Sequence, residues 1–403
     1  LIDVLTPPVR EVKIGSGENS LRLGGEEVMY RHELRFFNPT GLFIDVSDSM
    51  SDEEINKRID FVKDFEIERI GKKLRLDGVA IRSASDDPEK FRGVVGRVAK
   101  DFPGALILCS FNPDVLSAGM EVVGDRKPLL YAANEGNWER VLGIAQKYDA
   151  PLAVYSPDLG KLGTLVRELS SRDFNRIILD PGIESDAGLS NTLNRFVMLR
   201  KSAMKGVKEL GYPLMASTLA VWMNSGDEMN SAYRESTIAG VLMDRFASLL
   251  ITHSIDMWSI LPTVTLRQNI YTDPRVEPTV EAKLYELGSP DENSPLFITT
   301  NFALTYFNVS GDLESDKISC YLLVIDTEGL GVTVSVAAEK LTASGIKDAL
   351  DKTSAREKIK HSKLIIPGAA ARIKGVIEDA TEMEIIVGPQ DSSQISSFLK
   401  ENW

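Results

Sequence analysis

Three short apolar runs near the end of the chain, Tyr321 to Ile325, Lys363 to Ile366 and Glu384 to Val387, each give way to a loop of small residues. The loops read Asp326-Thr327-Glu328-Gly329-Leu330-Gly331-Val332-Thr333, Pro367-Gly368-Ala369-Ala370-Ala371 and Gly388-Pro389-Gln390-Asp391-Ser392-Ser393. Where strands lie parallel, ligands settle at their carboxyl ends, because Gly lets backbone approach closely and the following helices present free N–H groups. A rim of small residues suits a flat ligand edged with amides. A dinucleotide is poorly supported, since Gly329-Leu330-Gly331 runs on into Val332-Thr333-Val334 without the third Gly of G-x-G-x-x-G. Spacing alone leaves a plainer reading open, in which these Gly residues serve tight turns.

A second group of polar residues, Asp45, Asn112, Asn134 and Asp180, falls at the ends of earlier strand-like runs, where barrel proteins carry out catalysis. Cys109 and Cys320 are the only cysteines, so a disulfide framework is not expected and a four-thiolate cluster within this chain is impossible. Both read as small buried hydrophobes inside strands. The three histidines are His32, His253 and His361. Only His361 lies in the C-terminal part, just ahead of a strand, where a solvated strand-edge role is expected. The motif Asp-x-His-x-x-Gly, which presents an imidazole as a ligand, does not occur.

These groups need a frame. Strand-like runs recur at Gly41 to Val46, Gly78 to Arg82, Ala105 to Cys109, Pro128 to Ala132, Pro151 to Tyr155, Arg176 to Leu179, Tyr212 to Ala216 and Leu249 to Thr252, each followed by a stretch of helical periodicity. Such alternation demands parallel crossovers, and eight units close most economically into a (β/α)8 barrel. Ser51-Asp52-Glu53-Glu54 is a capping box for the first helix, and Asp101-Phe102-Pro103-Gly104 ends the second. Arg10 to Ile14 and Ser20 to Leu23 flank a Gly-rich turn and predict a small hairpin at the barrel floor. The pattern breaks in the polar, Pro-rich stretch from Glu286 to Pro295, which places a barrel domain at 1–288 and a smaller Rossmann-like α/β domain at 289–403. The second domain opens on a long extended run, Leu296 to Val309.

The chain has 403 residues, 43% hydrophobic and 26% charged, enough for more than one core. Its net charge of -13 and the lack of a long Lys/Arg cluster argue against a nucleic-acid partner. No apolar run approaches the ~20 residues of a membrane span, so a cytoplasmic protein is expected. Leu1 is not an initiator Met, and the residues after it read like a linker, so a further upstream segment is expected.

Several segments also carry a family resemblance. Thr299-Thr300-Asn301-Phe302-Ala303-Leu304-Thr305-Tyr306-Phe307, Tyr321 to Leu330, Leu364-Ile365-Ile366-Pro367-Gly368-Ala369-Ala370 and Val387-Gly388-Pro389 resemble the corrinoid-binding domain of the corrinoid/iron-sulfur protein large (gamma) subunit. Asp125 to Ala132 and Arg267 to Pro274 resemble the barrel of the same family. The resemblance implies a cobamide held base-off, with no imidazole below the cobalt, and a role as methyl carrier between a methyl-tetrahydropterin and the nickel of acetyl-CoA synthase, in either direction. It implies as partners a small (delta) barrel subunit, a pterin methyltransferase, acetyl-CoA synthase and a reductive activator. The family's N-terminal four-Cys motif for a [4Fe-4S] cluster is absent, so that cluster is expected only in the upstream segment.

With that cofactor in view, the candidate contacts are Thr299, Thr300, Thr305 and Tyr306 from the extended run, and Leu330, Gly331, Val332 and Thr333 from the first loop. Gly368 and Ala369 from the second loop and Ser392 and Ser393 from the third complete the set, although the two serines could equally cap the last helix. The alternative rests on Leu179-Asp180-Pro181-Gly182, which resembles pterin-binding barrels such as dihydropteroate synthase and the methyltetrahydrofolate methyltransferases. On that reading the chain is an enzyme that binds methylpterin directly. A subunit with no cofactor is the third possibility.

Overall fold

In the computed structural model, which describes residues 6–184, 188–223 and 227–403, the chain opens with a hairpin of β1 (Val12–Ile14) and β2 (Leu21–Leu23). The linker-like residues 1–5 lie outside the described residues. There follow β3 (Gly41–Ser47), α1 (Asp52–Asp64), a short hairpin of β4 (Glu66–Arg69) and β5 (Lys72–Arg75), β6 (Gly78–Arg82), α2 (Pro88–Asp101), β7 (Ala105–Cys109) and α3 (Pro113–Val123). Next come β8 (Leu129–Ala133), α4 (Trp138–Tyr148), β9 (Leu152–Tyr155), α5 (Leu159–Ser170), β10 (Ile177–Asp180), α6 (Leu189–Met204), β11 (Leu214–Ser217), α7 (Glu228–Asp244), β12 (Ala247–Thr252) and α8 (Met257–Tyr271). The eight parallel strands close in the order β10-β11-β12-β3-β6-β7-β8-β9, the expected barrel.

Local chemistry explains the helix starts. Ser51 accepts a hydrogen bond from the Glu54 amide (3.2 Å), Asp87 and Asp158 each accept from two amides of the next turn, and Asn112 accepts from Asp114. Pro88 and Pro113 occupy first-turn positions, where their fixed φ helps and their missing N–H is no loss. Inside the barrel, Phe43, Ile107, Ile178 and Met215 pack with Val12, Ile14 and Leu23 of the first hairpin. That hairpin seals the floor: Gly15 donates to the Lys127 carbonyl ahead of β8, and Arg10 to the Gly211 carbonyl ahead of β11 (both 3.0 Å). The Arg200–Glu26 ion pair, each side chain 2% exposed, fastens the segment that follows.

The chain divides by contacts into Leu1–Ile67 with Lys73–Pro274, and Glu68–Lys72 with Arg275–Trp403. The change of unit at Pro274 precedes the Pro-rich stretch taken as the boundary, and β13 (Leu284–Leu287), read as the end of the barrel domain, pairs antiparallel in the second sheet instead. That unit continues with β14 (Leu296–Thr300), α9 (Ala303–Ser315), β15 (Cys320–Ile325), α10 (Val332–Ala337), α11 (Ala343–Lys352), β16 (Lys363–Ile366), α12 (Lys374–Thr381), β17 (Glu384–Val387) and α13 (Ile395–Asn402). The sheet order is β13-β15-β14-β16-β17. The long extended run is thus a correction: it is a five-residue strand that turns into a helix at Ala303. Two apolar layers cover the sheet. Phe297, Ile365, Leu313 and Ile395 form one with α9 and α13, and Ile298, Ile366, Ile346 and Ile377 form the other with α11 and α12.

Gly78 offers a test of the barrel packing. A Cβ there would fall on the Phe43 ring and lie 2.5 Å from the Ala105 carbonyl oxygen, and backbone cannot step aside. Gly78→Ala should lower the unfolding free energy by about 1–3 kcal/mol, read as a lower urea midpoint. Gly93→Ala on α2, where a Cβ meets nothing within 4 Å, is the control that should not lose stability. Equal midpoints for the two variants would contradict this account.

Candidate functional site

In the second unit the connections run from β14 to β15 on one side and then back across β14 to β16 on the other. At such a switch point the two connections leave in opposite directions and a crevice opens at the carboxyl ends of the two strands. A cavity of about 410 Å³ lies there. Its wall includes Phe297 and Thr299 of β14, Ile365 and Ile366 of β16, Thr305, Asn308 and Val309 of α9, and Val332 of α10. Pro367, Gly388, Pro389, Gln390, Asp391, Ser392 and Ile395 close the far side. Thr299 is 1% exposed and Thr300 is fully buried, and the hydroxyl oxygen of each has no hydrogen-bond partner. A buried hydroxyl left unpaired is costly, and at a ligand site it is the mark of a bond kept for something else.

The structure brings only some of the candidate contacts together. Thr299, Thr305, Val332 and Ser392 line the cavity. Thr300 is the next residue of β14 but does not line it, and Leu330, Gly331 and Thr333 flank Val332 outside the wall. Gly368 serves a loop-to-loop contact: it donates to the Pro389 carbonyl (3.0 Å), and a Cβ would meet Gln390 N and Gly388 O at 2.8 Å. Ala369 beside it is half-buried. Tyr306 points away, its ring 4.7 Å from Tyr285 and 5.1 Å from Phe307, and burial pushes its hydroxyl up to about 12. Neither serine caps the last helix; Asp391 is the cap of the turn before it, accepting from the amide and the hydroxyl of Ser393.

Residues missed at first are Asn308 and Val309, which share a face with Thr305 once α9 is a helix, and Asn301. The Asn301 carbonyl oxygen accepts from the amides of Thr327 (3.0 Å) and Gly329 (3.1 Å), and its amide donates to Asp326 (2.9 Å). His361 sits at the amino end of β16, the opposite end from the cavity. Its Nδ1 accepts from the Lys363 amide (3.2 Å), its Nε2 donates to the Ser294 carbonyl (2.9 Å), and its ring meets Trp403 edge-on.

The barrel has its own cavity, about 740 Å³, at the carboxyl ends of β6, β7 and β8, with Arg82, Cys109, Phe111, Tyr131 and Asn134 in its wall. The polar strand ends there largely satisfy one another. Asp45 accepts from Arg82 through both oxygens (3.1 and 3.2 Å) and from His253 Nδ1 (3.1 Å). Arg58, which can only donate, faces His253 Nε2 (3.3 Å), so Nδ1 carries the proton. Burial alone would raise Asp45, but the His253 and Arg82 bonds outweigh it and hold the carboxyl below its ordinary range. Asn112 caps α3 and donates to Asp86 (3.0 Å), and Asn134 accepts from the Gly136 amide (2.8 Å). Asp180 accepts from the Tyr131 hydroxyl (2.7 Å) and the Gly182 amide (2.8 Å). Both cysteines are free and buried, Cys109 in β7 and Cys320 in β15, and burial pushes the Cys320 thiol up to about 12. Among the described residues no group of three or more His, Cys, Asp or Glu could hold a metal ion, and no helix is long and apolar enough to cross a membrane.

These features define an α/β protein of two units, a closed parallel barrel and a five-stranded sheet with a crevice at its switch point. A family model described as CO dehydrogenase/acetyl-CoA synthase delta subunit matches residues 11–399. The acetyl-CoA decarbonylase/synthase complex subunit gamma of Archaeoglobus fulgidus is 43% identical over 405 residues, covering 100% of this chain and 86% of that protein. Subunit gamma 2 of Methanosarcina thermophila is 42% identical over 406 residues, covering 99% and 86%. The chain belongs to this CO dehydrogenase/acetyl-CoA synthase subunit family. Among solved structures, dihydropteroate synthase from Thermus thermophilus is similar with a TM-score of 0.44 at 14% identity, over 65% of this chain and 100% of that one.

Burial lifts Asp180 from 3.8 to about 6, against the pull of the Tyr131 and Gly182 bonds. The folded state therefore holds this proton more tightly than the unfolded chain, so the stability it lends is complete below about pH 4 and lost as pH rises through 6. The unfolding free energy of the wild type minus that of Asp180→Asn should fall between pH 4 and 6 by on the order of 2–3 kcal/mol. A difference that stays flat across this window would show that Asp180 titrates normally.

Proposed function

We propose that the chain is a corrinoid-dependent methyl carrier and a subunit of an acetyl-CoA decarbonylase/synthase complex, with its cofactor at the switch-point rim of the second unit. A bound corrinoid supplies a cobalt nucleophile able to take a methyl group from a methyl-tetrahydropterin and yield it to the nickel of acetyl-CoA synthase, or the reverse in acetyl-CoA cleavage. The observation that carries the reading is the cavity with Thr299 in its wall and a buried hydroxyl awaiting a partner.

A space of about 410 Å³ is too small for a whole macrocycle and would hold a limb of one. Thr299, Thr305 and Ser392 offer hydroxyls to a polar limb, while Gly388 and Pro389 keep side chains out of its way. His361, engaged through both ring nitrogens at the far end of β16, is in no position to reach a metal at the rim, which supports base-off binding. Relatives named as subunits of an acetyl-CoA decarbonylase/synthase complex support assembly with other proteins, and the partners this reading calls for are a small delta barrel subunit, a pterin methyltransferase, acetyl-CoA synthase and a reductive activator. The alternative, direct action on methylpterin in the barrel, is weakened because Asp45, Asn112, Asn134 and Asp180 are committed to internal bonds.

Anaerobic reconstitution of the whole chain with hydroxocobalamin, followed by cobalt analysis and electron paramagnetic resonance of the Co(II) state, tests the reading. Near-equimolar cobalt without nitrogen coupling from a protein imidazole is expected. No bound corrinoid, or a histidine-ligated metal, would refute it. Thr299→Val gives a sharper check, because removing an orphaned hydroxyl should stabilise the ligand-free protein by about 1 kcal/mol while weakening hydroxocobalamin binding about tenfold. Affinity unchanged in this variant would remove Thr299 from the site.

A further inference from the structure

From the geometry of the first rim loop we infer that Asn301 is a positioning residue for cofactor binding: it clamps the β15–α10 loop in a conformation the loop would not hold by itself. The inference rests on the rim being the corrinoid site. Two consecutive residues of this loop, Glu328 (φ +57°) and Gly329 (φ +81°), are left-handed. Gly tolerates that conformation, but for Glu it is unfavourable and persists only where the surroundings over-determine it.

Asn301 supplies that determination from the first position after β14. Its carbonyl oxygen takes the amides of Thr327 and Gly329, one on each side of Glu328, and its amide group donates to Asp326. Asp326 in turn accepts from the Glu328 amide (3.0 Å). The backbone of Asn301 is fixed as well, donating to the Ile325 carbonyl and accepting from Val280 (both 2.9 Å). The side chain is 6% exposed, and its bonds go to one loop. The consequence reaches the cavity, because Gly331 ends this loop against the first turn of α9, where a Cβ would lie 3.7 Å from the Thr305 hydroxyl, and Val332 and Thr305 both line the wall. A loop already in its bound shape spares the ligand the entropy of ordering it.

The charge pattern makes a test available. Asn301→Asp keeps the acceptor for Thr327 and Gly329 but sets a carboxylate against Asp326, whereas the swap Asn301→Asp with Asp326→Asn restores a donor between them. Hydroxocobalamin affinity of the whole chain is measured by visible titration, and amide exchange at Thr327 and Gly329 is followed in the ligand-free protein. N301D should bind at least about tenfold more weakly and exchange faster at those two amides, and the swap should recover most of both. Asp326→Ala, at an exposed position, should show an intermediate loss of affinity and serves if N301D does not fold. Wild-type affinity in N301D and D326A, unchanged exchange, or a swap that rescues neither would overturn the clamp. A wild-type chain that binds no cobalamin would instead sink the cofactor reading, and the exchange rates alone would then decide whether Asn301 holds the loop.

Discussion

The reversal of connection at β14 is the constraint from which the second unit follows. Because β15 lies on one side of this strand and β16 on the other, the connections at the rim leave in opposite directions and a crevice forms between them. The helices α9 and α13 then wall the space from one face, and the loops after β16 and β17 lock against each other through Gly368 and Pro389. A sheet covered on both faces leaves its ends as the place for chemistry, and Thr299, whose buried hydroxyl has no hydrogen-bond partner, lies in the cavity wall at such an end.

The polar groups at the barrel strand ends and those in the cavity of the second unit are used differently. At the barrel mouth Asp45, Arg82, His253 and Arg58 form one chain of charge-assisted bonds, and the asparagines cap helices or hold turns. Breaking such a network leaves buried charge unpaired, so it resists rearrangement and acts chiefly to hold the strand ends in register. The cavity of the second unit has few charges and several hydroxyls without strong partners. A neutral, amide-rich ligand is better served by the second arrangement, since it brings no charge to offset the desolvation of a carboxylate or guanidinium.

Sequence periodicity made the barrel legible because its strands are short, mostly apolar runs that give way to polar residues, as at Ala105–Cys109 before Ser110 and Asn112. It failed at α9. Phe302 occupies the N-cap and offers no side-chain acceptor, and Ala303 and Leu304 are followed directly by Thr305, Tyr306 and Phe307, residues that favour strands. Nothing in the sequence marks where β14 stops, and with the helix unseen, the common face of Thr305 and Asn308 could not be recognised. The β4–β5 hairpin was hidden for a related reason: its turn places Ile70 at φ +50° ahead of Gly71, where Asn or Asp usually gives the signal. Gly368 is required by the neighbouring loop after β17, which spacing cannot reveal, whereas a Cβ at Gly331 would make only ordinary contacts with Phe302 and Thr305.

The second unit brings no imidazole to this rim. His361 precedes a strand of four residues, and crossing that strand would take roughly 13 Å at the rise of an extended chain. Its ring is also held on both nitrogens and against Trp403, so swinging it toward the rim would break two hydrogen bonds and an aromatic contact before any gain. The side chains nearest the cavity are hydroxyls, amides and aliphatics. Among the described residues Asp391 is the one ionisable group in its wall, and that carboxylate already holds Ser393. Were a corrinoid held here, Thr299, Thr305 and Ser392 would offer it hydroxyls and Asn308 and Gln390 amides, with no imidazole among the lining residues.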